Sequence, residues 1–266
     1  MHDGGGVAPS FCSDAELGYL RSRTAFAPGA PLLLDEPYRL AHLPLVAPDH
    51  PGVIPRQGGK FYEMGSHPTV YSLVLPVDDA ELRRSDAFLE LEGELKAAPF
   101  AGKIAWDILS KRAGKLHATI CGSLGIGEPP AITAGQRGAL QAFGPVAVEL
   151  RGLFSGNINR GRLYLRAYPE RRDGANSFQM IQSAMGRPQT DLYVVGLYNL
   201  TDDLDAAEAL ALADILARWW ERPLLRLKAR ELWLLGARDD LVLDAEITER
   251  LPLGENLHDR PAPARP

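Results

Sequence analysis

Leu116-His117-Ala118-Thr119-Ile120-Cys121 alternates apolar and polar side chains with a period of two. This is the pattern of a β-strand whose two faces meet different surroundings. It puts Leu116, Ala118 and Ile120 against a core, and His117, Thr119 and Cys121 on the opposite face, toward a groove. An imidazole beside a hydroxyl is a chemically useful pair there. One moves a proton while the other holds a phosphate oxygen.

The chain around this strand is long enough for a sizeable core. It has 266 residues, 45% hydrophobic and 24% charged, values ordinary for globular proteins. The net charge of −5 argues against binding long nucleic acid through a broad basic footprint. A short oligonucleotide or a small phosphorylated ligand in a locally basic cleft remains compatible. Two cysteines, Cys12 and Cys121, make no disulfide framework and suit a reducing compartment. No apolar run reaches the roughly 18 residues of a membrane span. Met1–Ser10 lacks the basic-plus-apolar signal pattern. The expectation is a cytoplasmic protein with no membrane partner.

Residues 1–59 read as a flexible start followed by an extended, Pro-rich wrapping arm, with a short helix over 14–24 capped by Ser13. Residues 254–266 read as a fraying Pro-rich tail. The body, residues 60–253, carries the fold. Tyr71–Val77, Lys115–Ser123, Val146–Leu153, Arg162–Tyr168, Asp191–Leu200, Glu231–Leu235 and Leu241–Asp244 read as strands. Asp79–Ala97, Thr133–Phe143, Ser177–Met185 and Leu204–Trp220 read as helices, the last with Asp202 or Asp203 as N-cap. The order predicts an α+β chain of two similarly laid out halves, with antiparallel sheets and flanking helices around a central cleft.

The run AWDILSKRAGKLHATICGSLG, with Trp106, Leu116, His117, Thr119 and Gly122 in place, resembles the first signature of the 2H phosphoesterase-like superfamily. That family includes cyclic nucleotide phosphodiesterases and RNA 2′-5′ ligase-like proteins. The strand and helix upstream, the hairpin over 146–170 and the closing helix and strands from Leu200 onward are similar to its element order. The likeness covers most of residues 70–253. It implies two lobes related by a pseudo-twofold axis, each offering one His-x-Thr to a shared cleft. One His would act as general base, the other as general acid, and the hydroxyls would hold the phosphate without a metal or other cofactor.

The chain departs from that pattern in its second half. The second His-x-Thr should fall on the strand before the long helix, where Val195, Gly196 and Leu197 stand instead. His258, in the tail, is no replacement. Two readings therefore stay open. In one, the chain hydrolyses a small phosphodiester with His117 as acid or base and Thr119 as phosphate ligand. In the other, it binds a nucleotide or phosphorylated ligand without turning it over. A third, with Cys121 or Tyr198 reactive, stands beside them.

Four further residues complete the candidate site. Arg162, Tyr164, Arg166 and Tyr168 alternate along one strand, so Arg162 and Arg166 can line an anion-binding groove. They equally suit a solvated sheet face. Tyr198 and Asn199 stand at the edge of the expected cleft, where Asn199 also reads as part of a helix cap. Cys121 reads either as a nucleophile or as a small buried filler. Asp239-Asp240 has no neighbouring His or Cys in sequence and reads as a tight turn, not a metal site. Trp219-Trp220 reads as one inward Trp and one at a contact surface.

Overall fold

Strands that are apolar on one side need that side covered, and here helices and the N-terminal segment do the covering. The computed structural model describes residues 8–254. The tail from residue 255, His258 and the first seven residues lie outside that range. In chain order the elements are α1 (Tyr19–Ser22), α2 (Glu36–Ala41), α3 (Leu43–Val46), β1 (Ser66–Pro76), α4 (Asp79–Leu82), α5 (Asp86–Ala97), α6 (Leu109–Arg112) and β2 (His117–Ile126). They continue with α7 (Ala134–Phe143), β3 (Val146–Ser155), β4 (Arg162–Pro169), the short pair β5 (Arg171–Arg172) and β6 (Ala175–Asn176), and α8 (Ser177–Ala184). The chain closes with β7 (Val194–Asn199), α9 (Ala206–Trp219), β8 (Pro223–Ala229), β9 (Glu231–Asp239) and β10 (Ala245–Pro252).

The fold is α+β. Eight strands form one antiparallel sheet in the order β10-β9-β1-β2-β7-β4-β3-β8. Two four-stranded halves meet at β2 and β7, and the expected pair of sheets is therefore continuous. The seam is thin: one residue pair, Ala118 with Val195, joins β2 to β7. Helices α9, α5 and α8 pack on β3, β8 and β2. The predicted inward set Leu116, Ala118 and Ile120 is buried. Among the described residues no helix is long and apolar enough to cross a membrane.

Several local expectations change. The charged stretch 79–97 is two helices, because Ser85 accepts from the Phe88 amide and caps α5 afresh. Asp205, not Asp202 or Asp203, caps α9, in a capping box with Glu208. Ser13 does not cap α1; its hydroxyl donates to Glu16. Leu241–Asp244 is a turn, and the last strand follows it as β10. Strand β8 closes the second half, and Pro223 and its charged neighbours mask its apolar alternation in the sequence.

The N-terminal segment is more than an outer wrapping. Tyr19, Tyr38, His42 and Leu43 are fully buried. Two of its prolines, Pro37 and Pro44, stand in the first turns of α2 and α3, where the ring costs no hydrogen bond. Tyr38 donates to the Leu200 carbonyl at 2.6 Å, which fixes α2 against the end of β7.

Candidate functional site

At the seam between the halves lies a cavity of about 230 Å³, lined among others by His117, Thr119, Arg162, Arg112, His67 and Asp240. The pairing of Ala118 with Val195 sets His117 abreast of Gly196, which also lines it.

His117 opens β2, just after a short 3-10 turn over Ala113–Lys115. That turn places the Lys115 carbonyl 2.7 Å from Nδ1. The contact fixes the tautomer: Nδ1–H donates, and Nε2 is left as an acceptor. No hydrogen bond within the described residues engages Nε2. Burial is the main cause that pushes the imidazole pKa down to about 4. The Lys115 carbonyl opposes it, and the Arg162 and Arg112 charges add to it. His117 is thus neutral at physiological pH. Thr119 lies one strand period on, exposed, with its hydroxyl free among the described residues.

The cationic wall comes from two arginines. Arg112, at the end of α6, is fully buried. Its guanidinium donates to the carbonyls of Gly196 and Leu197 and to Asn199 Oδ1. Burial is the main cause that lowers its pKa to about 9, with Arg162 contributing. Arg162 of β4 donates to the Asp240 carbonyl at 2.8 Å and lies over the Tyr164 ring. Neither guanidinium forms an ion pair among the described residues, and both Nε atoms are buried without partners. Two guanidiniums without a direct ion pair line this cavity, which the Asp239 and Asp240 carboxylates also line, and the guanidiniums are its means of holding an anion.

Gly196 explains how Arg162 gets there. A Cβ at this position would lie 2.0 Å from the Arg162 guanidinium. The strand position where a second His was expected therefore carries no side chain, and an arginine occupies the space.

Two strand irregularities redirect other sequence candidates. In β2, Thr119 pairs with Val74 but Cys121 pairs with Leu73, so Ile120 is an extra residue and the alternation flips. Cys121 turns away from Thr119 into the core, and burial raises its thiol pKa to about 11. A nucleophilic Cys121 is not supported. The folded protein is expected to resist a thiol reagent at Cys121 and to react there once denatured, read by mass spectrometry. In β7 the partners of Leu163 and Tyr164 are Tyr198 and Gly196, so Leu197 is the extra residue. Tyr198 consequently faces Trp106, ring centroids 5.5 Å apart, away from the cavity. Burial raises its pKa far above the usual phenol value. Asn199 points to Arg112, Tyr38 and His42 and acts from behind the cavity wall.

Arg166 is a correction as well. It is fully buried outside the cavity, with its guanidinium 3.8 Å from the Trp220 ring centroid and 3.6 Å from Asp14. The N-terminal segment occupies this end of the expected groove. Trp220 Nε1 donates to Asp14 at 2.8 Å, so the ring expected at a contact surface is satisfied within the chain, while Trp219 is fully buried.

Sequence reasoning missed a cluster on the other wall. Asp239 anchors its own turn by accepting from the amides of Leu241, Leu243 and Asp244. That leaves Asp240 facing inward. Its carboxylate accepts from Tyr62 at 2.9 Å and lies 3.4 Å from His67 Nε2 and 3.5 Å from His42 Nε2. Burial alone would raise the Asp240 pKa, but the two imidazoles and Arg162 hold it well below the usual carboxylate range. A signal for this cluster was present: His67-Pro68-Thr69 repeats the His-x-Thr spacing of 117–119. Among the described residues no group of three or more His, Cys, Asp and Glu side chains is placed to hold a metal ion.

Comparison of the chain with protein-family models and with curated proteins finds no match.

Proposed function

We propose that this chain is a divergent 2H phosphoesterase-like protein that hydrolyses a small phosphodiester, such as a 2′,3′-cyclic nucleotide or an RNA end. The observation that carries the reading is one cavity holding a neutral His117, its Nε2 without a hydrogen bond among the described residues, together with two arginines that form no direct ion pair there. A phosphodiester anion seated against Arg112 and Arg162 brings its phosphorus to a group able to accept a proton from water. Thr119 supplies a hydroxyl to a non-bridging oxygen. Fixed cations facing developing charge are a large source of rate enhancement.

The expected chemistry needs no metal, so the test is turnover of a panel of 2′,3′-cyclic nucleotides by the wild-type protein in EDTA. Product appearing with EDTA present supports the reading. A second reading is favoured by one observation, the arginine standing where the second His was expected. It takes the same cavity as a binding site for a nucleotide or short phosphorylated ligand. Calorimetric binding without any turnover would select it.

A further inference from the structure

We propose that Asp239 is a positioning residue for the cavity: it winds the β9–β10 turn so that Arg162 meets the Asp240 carbonyl and not the Asp240 carboxylate, and the guanidinium stays available to a bound anion. The assignment rests on the anion-binding part of the reading above and holds whether or not the anion is then hydrolysed.

Arg162 reaches a residue that carries two kinds of acceptor. Its guanidinium donates to the Asp240 carbonyl at 2.8 Å. Among the described residues no ion pair joins it to the Asp240 carboxylate, although its charge helps to hold that carboxyl's pKa down. A carbonyl orients a guanidinium and leaves its charge in place, whereas a carboxylate cancels it. The turn decides which of the two is met. Asp239 is only 3% exposed. Its Oδ1 accepts from the Leu241 and Leu243 amides at 2.8 and 3.1 Å, and its Oδ2 from the Asp244 amide at 2.7 Å. Those three bonds hold Val242 at φ 55°, a left-handed backbone that β-branched residues avoid. Such a conformation persists where its surroundings over-determine it. The winding sends the Asp240 carboxylate toward Tyr62, His67 and His42, and the Asp240 carbonyl toward Arg162. The same turn treats a second cavity-lining cation alike. Lys115 Nζ donates to the carbonyls of Leu243 at 3.2 Å and Ala245 at 3.5 Å.

Removing the Asp239 carboxylate frees three amides, and the left-handed backbone relaxes. The Asp240 carboxylate, no longer aimed at its three partners, then closes on the neighbouring Arg162, and the cavity loses a cation. Positioning and plain scaffolding differ in what repairs them. A scaffold loss is mended by no change at Asp240, while a misplaced carboxylate is harmless once it is an amide.

The test measures sulfate binding to the full chain by calorimetry, with urea unfolding alongside. Asp239→Ala is expected to weaken sulfate binding roughly tenfold or more, the worth of one charge-assisted contact. Adding Asp240→Asn to it is expected to restore the affinity without restoring the stability that the three lost bonds supplied. Asp239→Asn keeps an acceptor for Leu241 and Leu243 and gives up the Asp244 amide. It should show a smaller loss with the same rescue, and it serves where the alanine variant does not fold. Wild-type affinity in the Asp239 variants, or a loss that Asp240→Asn leaves unrepaired, would overturn the positioning role alone. A wild-type protein that does not bind sulfate would overturn the anion-binding reading and the positioning role together.

Discussion

Replacing His117 with alanine is expected to lower turnover of a 2′,3′-cyclic nucleotide by roughly 10²–10⁴-fold, the usual contribution of a positioned proton-transfer group. Of the other groups lining the cavity, His67 and Asp240 stand against each other, and the Thr119 hydroxyl is a poor base. The substitution leaves the fold in place, because His117 lines a cavity and its one side-chain hydrogen bond is to the nearby Lys115 carbonyl. Binding of the substrate is expected to persist, since the cationic wall is intact, so the loss should fall on kcat more than on KM. Steady-state kinetics at saturating substrate check this. A variant that retains wild-type kcat would remove His117 from the chemistry.

The sign of the pH dependence follows from the same residue. The folded pKa of about 4 lies below the usual histidine value of 6.5. His117 therefore stays unprotonated through neutral pH, and kcat/KM should fall only as pH drops toward that value. The same depression makes the unfolded chain bind more protons than the native one between those two values. The stability it contributes is fully present above pH 6.5 and is lost as pH falls toward 4.

The second large effect concerns the fold. Gly152 is the extra residue of β3 where its register against β4 shifts between Arg151 and Leu153, and its amide donates to the Arg222 carbonyl. A Cβ there would lie 1.9 Å from the Trp219 carbonyl oxygen and 2.7 Å from its carbon. These are backbone atoms at the end of α9, with no rotamer to escape through. Gly152→Ala must push α9 off the sheet, and with it the buried Trp219 and the Trp220 ring that covers Arg166. Overpacking of this kind costs about 3 kcal/mol or more. Urea unfolding should show that loss, and a change below about 0.5 kcal/mol would mean that α9 moves freely on β3.

Much of the architecture was legible because it depends on period. Alternation in 116–121, the Ala/Leu helix before Trp219 and the helix over 133–143 all carry their structure locally. The site was legible only in part, because strand irregularities are not visible in alternation. One extra residue at Ile120 moved Cys121 to the core, and another at Leu197 turned Tyr198 away from the cavity. Arg166 shares the parity of Arg162, yet a segment some 150 positions away in sequence covers it through Asp14. Long-range placement of that kind leaves no trace in a strand's own residues. The Asp240 cluster is the converse. His42, Tyr62, His67 and Asp240 are scattered across the chain, and only the pairing of β1 with β9 gathers His67 and Asp240.

The central claim is that His117 is a neutral base facing a cationic wall built for a phosphate-like anion. The most direct measurement is an NMR titration of the His117 ring between pH 3 and 8, without and with saturating sulfate, which stays dianionic throughout. The account predicts an inflection near 4 in the free protein. Sulfate should move it upward by about one unit or more, because an anion between Arg112 and Arg162 cancels their charge and adds its own. An inflection near 6.5 in the free protein, or one that sulfate leaves unmoved, would contradict it.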